Sequence, residues 1–449
     1  MALFGTAGIR GPVESEVTPD LALAIGQAVA TEAGTVVLGR DARPTGEALT
    51  DALAAGLESG GARVLRIGQV PTPATAFASQ GRYGVMVTAS HNPPPDNGIK
   101  LFVDGTEFAA EAEQRITERL DAGAESVSWN RWTGSHSASF LHEYREAVGT
   151  YVQAHGTDPD GLPIAVDCGN GTAARATPQV LTDLGARVHA LNADLDGSAP
   201  ARPSKPTAET LADLRAYVAE SGCVLGLGHD GDGDRLVVVD ADGEVVHAAT
   251  IIAVLAYHYV ARSDAADPVV LTTPNASGRI DERVGAAGGR VERVALGSLH
   301  EGLSTVRDDT DDGTVVVFAA EPWKHLHPGF GSWIDAVVSA GVLTRLVADQ
   351  GLESLIAPVS EPPAHMDNID CPEQRKEMAM TALREALPER FPDATVDESH
   401  GLRLTFPDES WLLVRPSGTE PKLRLYGEGA GVEDRMAAVR TAAMTAIED

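Results

Sequence analysis

Apolar and polar positions set out the first hundred residues as alternating helix and strand. Thr18-Pro19-Asp20 supplies an N-cap, a first-turn proline and an acid for the helix dipole, and Leu21, Ile25, Ala28 and Val29 follow at helical spacing. Gly34 is the expected stop. The apolar run Val36-Val37-Leu38 leads into a polar loop, Gly39-Arg40-Asp41-Ala42-Arg43-Pro44. A helix with Leu49, Leu53 and Leu57 on one face then breaks at Gly60-Gly61, and a strand over 63–67 closes the unit. Strand, crossover helix and strand in this order imply a parallel sheet covered on both faces.

Similar strand-to-loop entries recur at Ile164-Ala165-Val166-Asp167 and Val269-Val270-Leu271-Thr272, each followed by small polar residues and a helical pattern. The fold class is therefore α/β, with three related α/β domains on mainly parallel mixed sheets. Pro, Gly and Asp gather at 155–163 and 357–363, and a softer break lies at 240–243 before a helix over 249–262. After Pro363 come short apolar strands (Leu402-Arg403-Leu404, Leu412-Leu413-Val414, Leu423-Arg424-Leu425) and a final helix, so the last and smaller domain reads as α+β. The expected domains are 1–154, 155–243, 244–362 and 363–449.

Composition narrows the class. A chain of 449 residues exceeds a single core, and no uncharged apolar run reaches the roughly 18 residues of a membrane span. The opening MALFGTAGIRG lacks a basic segment followed by an apolar one, so no signal peptide is expected and the cytoplasm is the expected location. Cys168, Cys223 and Cys371 are too widely spaced for a zinc site or a disulfide framework and read as buried thiols. The formal net charge is −30, and its lysines are Lys100, Lys205, Lys324, Lys376 and Lys422. Such a surface repels nucleic acid and anionic membrane, leaving small molecules as partners of a monomer or homodimer.

Three motifs carry chemistry. Gly84-Val85-Met86-Val87 is a short buried strand, and Thr88-Ala89-Ser90-His91-Asn92-Pro93 follows at its carboxyl end, the ligand-binding edge of a parallel sheet. Ser90 there is a candidate nucleophile; taken alone, the hexapeptide is equally a Ser/Asn turn without chemistry. Asp230-Gly231-Asp232-Gly233-Asp234-Arg235 places carboxylates at alternate positions, with glycines that let the backbone curl around one hard cation. An EF-hand would need Gly and Glu where Arg235 and Ala241 stand. Arg415-Pro416-Ser417-Gly418-Thr419-Glu420-Pro421 lies between two apolar strands and offers a guanidinium, hydroxyls and backbone N–H groups suited to a phosphate dianion, with Lys422 or Arg424 adding charge.

Together with the opening Phe4-Gly5-Thr6-Ala7-Gly8-Ile9-Arg10-Gly11, these motifs resemble those of the α-D-phosphohexomutase superfamily over nearly the whole chain. The resemblance implies four domains around a central cleft, a phosphorylated Ser90, and Mg2+ held by Ser90, Asp230, Asp232 and Asp234. It implies cleft arginines at Arg10 and Arg235, Lys100 beside the reacting phosphate, and a phosphate grip at Arg415, Ser417, Gly418, Thr419 and Arg424. The family's Glu-x-Ser-Gly-His sugar loop corresponds to Glu321-Pro322-Trp323-Lys324-His325, with Trp and Lys in place of Ser and Gly; Ala7 stands where Asp is usual.

The implied activity is an isomerase that interconverts hexose 6-phosphate and hexose 1-phosphate through phospho-Ser90 and a hexose 1,6-bisphosphate. Lys100 and His325 are the expected proton-transfer groups, and Glu321 reads sugar hydroxyls. The FGT-GIRG opening leans toward phosphoglucosamine mutase; the alternatives are phosphomannomutase or phosphoglucomutase, a hydrolase using the same residues, and a non-catalytic sugar-phosphate-binding homologue. The acidic surface has its own consequence. It is expected to be adapted to high salt, where ions screen self-repulsion: the melting temperature should rise from low to molar potassium chloride, and a flat or falling value by calorimetry would refute this.

Overall fold

The computed structural model describes residues 3–5, 8–309, 313–418 and 420–448. Its first three sheets share one plan. In each, the first strand is flanked by the second and third in parallel, and a fourth runs antiparallel beside the third. In the first repeat these strands are Thr35–Arg40, Arg63–Gln69, Tyr83–Val87 and Asp96–Val103. In the second they are Pro163–Asp167, Arg187–Leu191, Leu225–His229 and Leu236–Val239. In the third they are Asp267–Thr272, Arg290–Arg293, Thr314–Glu321 and Lys324–Leu326. The first sheet adds Ile9–Pro12 at the far edge of Asp96–Val103 and Ser135–Ser137 beside Arg63–Gln69. The weak self-similarity of the sequence thus reflects a repeated topology. The chemical loops follow the third strand of each repeat, whereas the segments at 164–167 and 269–272 are first strands.

Local chemistry explains the elements. Thr18 caps the helix Pro19–Ala30 by accepting from the Leu21 N–H at 3.2 Å. This helix ends before Gly34, since Thr31 already takes the cap position, so glycine marks the entry to the next strand and not the helix stop. Helix Gly46–Ser59 buries Leu49, Leu53 and Leu57 as the spacing predicts. Cys168, Cys223 and Cys371 are free and buried. No helix among the described residues is long and apolar enough to cross a membrane.

One core runs through all three repeats. Its hub is the helix Ala336–Gln350, buried from Ala336 through Val347 and apolar on nearly every side. It packs on helices Leu141–Val152 and Thr177–Asp183 and on strands Leu225–His229, Leu236–Val239 and Lys324–Leu326. Asp335 caps it, accepting from the Val337 and Val338 N–H groups at 3.0 Å. The same carboxylate accepts from the Tyr144 hydroxyl at 2.9 Å and the Trp333 indole at 3.0 Å, tying helix Leu141–Val152 to the third repeat.

The fourth sheet is antiparallel in the order Ala364–Asp370, Lys422–Glu428, Trp411–Pro416, Leu402–Thr405, Thr395–Asp397. Helices Lys376–Arg390 and Val432–Glu448 supply apolar residues to its core. It docks on the third repeat through Glu428, which accepts from the Gly278 N–H at 2.8 Å and the Trp411 indole at 3.2 Å. Arg403 donates to the Pro274 carbonyl at 2.6 Å while lying 4.0 Å over the Trp411 ring.

Asp335→Ala removes a cap and leaves a buried hydroxyl and indole N–H without an acceptor. It should cost about 3 kcal/mol or more, read as a lower melting temperature; an unchanged value would show that the hub does not depend on this carboxylate.

Candidate active site

The loop after Tyr83–Val87 is held from beneath. Ser90 is fully buried with φ +52, a left-handed conformation costing a non-glycine residue about 1–3 kcal/mol. Its N–H donates to Thr88 Oγ1 at 2.8 Å, and Thr88 donates to Asp41 at 2.8 Å. Arg43, itself buried, donates to the carbonyls of Ser90, Asn92, Pro93 and Asp96 at 2.7–3.1 Å and to Asp41 at 3.2 Å. The second repeat is built alike. Asp167, ending the first strand, holds Arg202 at 2.9 Å, and Arg202 donates to the His229 carbonyl at 2.6 Å ahead of the acidic loop. In the third repeat the short hydroxyl of Thr272 does this work, donating to the Ala320 carbonyl at 2.9 Å.

These supports bring the first two loops into contact. Ser90 Oγ donates to Asp230 Oδ2 at 2.6 Å. Gly231 is required here, because a Cβ at that position would come within 2.7 Å of the Ser90 carbonyl oxygen. Asp230, Asp232 and Asp234 are all buried, with one oxygen of each within 4.8 Å of the others. Thr72 donates to Asp232 Oδ2 at 2.6 Å, and Lys100 donates to Asp234 at 2.8 Å and lies 3.7 Å from Asp232. Burial and the charges of Asp234 and Asp232 push Asp230 up. Burial would also raise Asp234, but Lys100, Lys324 and Arg235 outweigh it and hold that carboxyl low. Asp232 Oδ1 and Asp234 Oδ1 are buried without a hydrogen-bond partner. Unpaired carboxylate oxygens facing a serine hydroxyl form an oxygen donor set that fits a magnesium ion.

Around this centre lie the other expected residues. Arg10 sits on strand Ile9–Pro12 opposite Gly98, and its charge reaches His91 and Lys100. Arg235 Nε is 3.6 Å from Asp230 Oδ2. His91 Nδ1 is 3.3 Å from Ser90 Oγ; burial, Arg235 and Arg10 pull its pKa down to about 3, so the ring is neutral. Lys100, Asp234, Glu321 and Lys324 line one cavity with His300 and Trp333. His325 does not join them. Along strand Lys324–Leu326 side chains alternate, so Lys324 faces the cavity while the His325 ring is buried against Phe318 and Ser339. Burial pulls its pKa down to about 3, so the ring is neutral there.

Arg415, Ser417, Gly418 and Arg424 gather at the turn between Trp411–Pro416 and Lys422–Glu428; Thr419 lies outside the described residues, as does Ala7. Arg415 and Arg424 stand directly opposite each other across the ladder, and both Nε atoms are buried without a partner. Like charges so placed repel, and Glu420, 2.8 Å from Arg424, offsets part of this. Lys376 fastens the turn from below, donating to the Ser417 carbonyl at 2.6 Å. These residues do not line the cavity with Lys100 and Asp234.

Family models described as phosphoglucomutase/phosphomannomutase α/β/α domain I, α/β/α domain II and C-terminal domain match residues 1–127, 142–243 and 366–446. The chain belongs to this family. As a member of the phosphohexomutase superfamily it is an isomerase, an intramolecular phosphotransferase. It is 38% identical to a phosphopentomutase of Thermococcus kodakarensis over 95% of this chain and 94% of that one. It is 36% identical to a probable phosphoglucosamine mutase of Methanopyrus kandleri over 96% and 94%. A solved phosphoglucomutase/phosphomannomutase family protein from Burkholderia thailandensis shares the fold with TM-score 0.84 at 24% identity, over 100% of this chain and 97% of that one.

Within this family chain, sequence patterning passed over the groups that hold the loops: Arg43, Thr72, Arg202 and Lys376. The Asp41-Ala42-Arg43 segment was visible only as a polar loop, and Arg202 lies far along the chain from the Asp167 it serves. The signal available was an acid at the carboxyl end of a first strand in two successive repeats. Arg43→Ala should cost about 3 kcal/mol, as breaking a buried ion pair does, and release the loop that carries Ser90. Thermal melting checks this; wild-type melting would show that the loop holds itself.

Proposed function

We propose that this chain moves a phosphoryl group between the terminal and anomeric oxygens of a phosphorylated aldose, with Ser90 as carrier. The reading rests on the Ser90 hydroxyl held 2.6 Å from Asp230 inside the buried acidic triad. Phosphate monoesters are so inert that about 20 kcal/mol or more of barrier must be removed, by positioning and charge neutralisation. Asp230, Asp232 and Asp234, with a phosphate oxygen on Ser90, would hold Mg2+, which when bound neutralises charge on the transferred group. Arg43 and Thr88 orient Ser90, while Lys100, held by Asp234, brings an ammonium to the cavity wall as the proton-transfer candidate. Arg10 and Arg235 add cationic charge beside the serine loop. Arg415, Ser417, Gly418 and Arg424, with Thr419, would grip whichever phosphate is not reacting, so that either end of the sugar can face Ser90.

Hexose 1,6-bisphosphate is the intermediate this scheme requires for a hexose, and the 1,5-bisphosphate is its counterpart for a pentose. One Aspergillus fumigatus N-acetylphosphoglucosamine mutase structure with this fold contains GlcNAc-6P and magnesium (TM-score 0.61, 16% identity), and another contains glucose 1,6-bisphosphate (TM-score 0.56, 15% identity). Two sugar classes have support. The opening motif and the Methanopyrus relative favour an aminohexose phosphate, and the Thermococcus relative favours a pentose phosphate.

Purified protein with Mg2+ should convert sugar 1-phosphates to their terminal phosphates without net release of inorganic phosphate. Ser90→Ala should lower kcat by about 10³-fold or more, and chelation should abolish turnover until Mg2+ is restored. Full activity in the serine variant would sink the carrier role, and inorganic phosphate as the main product would make the chain a hydrolase.

A further inference from the structure

The turn Pro322-Trp323 joining strands Thr314–Glu321 and Lys324–Leu326 is strained and anchored. Trp323 has φ +68, a conformation that a bulky aromatic residue adopts only when its surroundings impose it. Its carbonyl accepts from the Leu236 N–H at 2.9 Å, on the strand that leaves the acidic loop. Its side chain packs against the second repeat's apolar cluster around Leu211 and Val237. The third repeat's loop is thus pinned to the backbone that carries Asp234, and the residue after the pin is Lys324.

Lys324 Nζ lies 3.1 Å from Glu321 Oε1, and each side chain is only 14% exposed. Both line the cavity with Lys100 and Asp234. Glu321 therefore already has a cation of its own. The other acids on this wall, Asp234 and Glu107, stand in the field of Lys100. A neutral hydroxyl meets no difficulty here: it can donate to a remaining lone pair of Glu321 and accept from a remaining N–H of Lys324. A substrate ammonium would be a second cation on one carboxylate, facing two lysines in a site of low dielectric.

Resting on the mutase reading above, we propose that Lys324 makes this site select neutral sugar phosphates and reject 2-amino sugars. The Glu321–Lys324 pair reads two sugar hydroxyls, one as donor and one as acceptor, and Lys324 excludes the charged amine. Trp323 is a positioning residue that fixes where the ammonium sits.

The test compares kcat/KM for glucose 1-phosphate, ribose 1-phosphate and glucosamine 1-phosphate at pH 6.5, where the amine carries its proton. Wild-type protein should prefer the neutral sugars over glucosamine 1-phosphate by at least tenfold. Lys324→Met should shrink the glucose-to-glucosamine ratio by at least tenfold, and Lys324→Arg should keep it. Lys324→Gln gives the same comparison if the Met variant melts early. A wild-type ratio near one, or one common factor of loss for all three sugars in Lys324→Met, would overturn the proposal. Selectivity is the readout for Lys324 alone; absence of turnover on every sugar phosphate would overturn the mutase reading and this proposal with it.

Discussion

Burying three carboxylates within 4.8 Å of one another is the constraint on which this structure turns. Charges taken out of water cost several kcal/mol each unless they are paired, and here the pairing is incomplete. Lys100 answers Asp234, Arg235 stands by Asp230, and Thr72 supplies a hydrogen bond to Asp232, yet two carboxylate oxygens have no partner. The missing positive charge defines what the site can bind. The 2.6 Å hydrogen bond to Asp230 then brings the Ser90 hydroxyl into this cluster.

Meeting that constraint takes three copies of one topology. In every repeat the chemical loop connects the third strand to an antiparallel fourth, and a group near the end of the first strand ties down the chain just before or at the loop. The tie is Arg43 on Asp41, Arg202 on Asp167, and Thr272 by its own hydroxyl. Guanidinium forks make several rigid hydrogen bonds at once, which suits the two loops that meet at the acidic triad. The third loop is held more lightly from below and instead is pinned laterally through Trp323. A common core centred on Ala336–Gln350 keeps the three repeats in register with one another.

The fourth sheet meets a different constraint, that of placing two arginines directly opposite each other across a ladder. One face of it carries Trp411, Leu413 and Arg415 on one strand and Arg424, Tyr426 and Glu428 on the next. Glu428 and Trp411 dock this face on the third repeat, and Arg415 and Arg424 sit at its other end. The same ladder therefore sets both the domain contact and the separation of the facing arginines.

Much of this was legible along the chain. Apolar periodicity located the helices over 19–30 and 46–59 and the first strands of the repeats, and the spacing of Asp230, Asp232 and Asp234 marked a candidate cation site whose acids the structure brings within 4.8 Å of one another. Ser90 was legible as a candidate, since it follows a buried strand at a sheet's carboxyl edge. Local pattern could not show that these loops occupy equivalent places in their repeats, because that depends on strand order. It could not find Arg43 or Arg202, whose partners are brought near by folding alone. The Glu321 to His325 segment shows the division best: the sequence by itself determined that Lys324 and His325 are adjacent in one loop, with His325 expected at the cleft. Only the tertiary structure decided which of the two meets the cavity, because that depends on which face of the sheet the core covers.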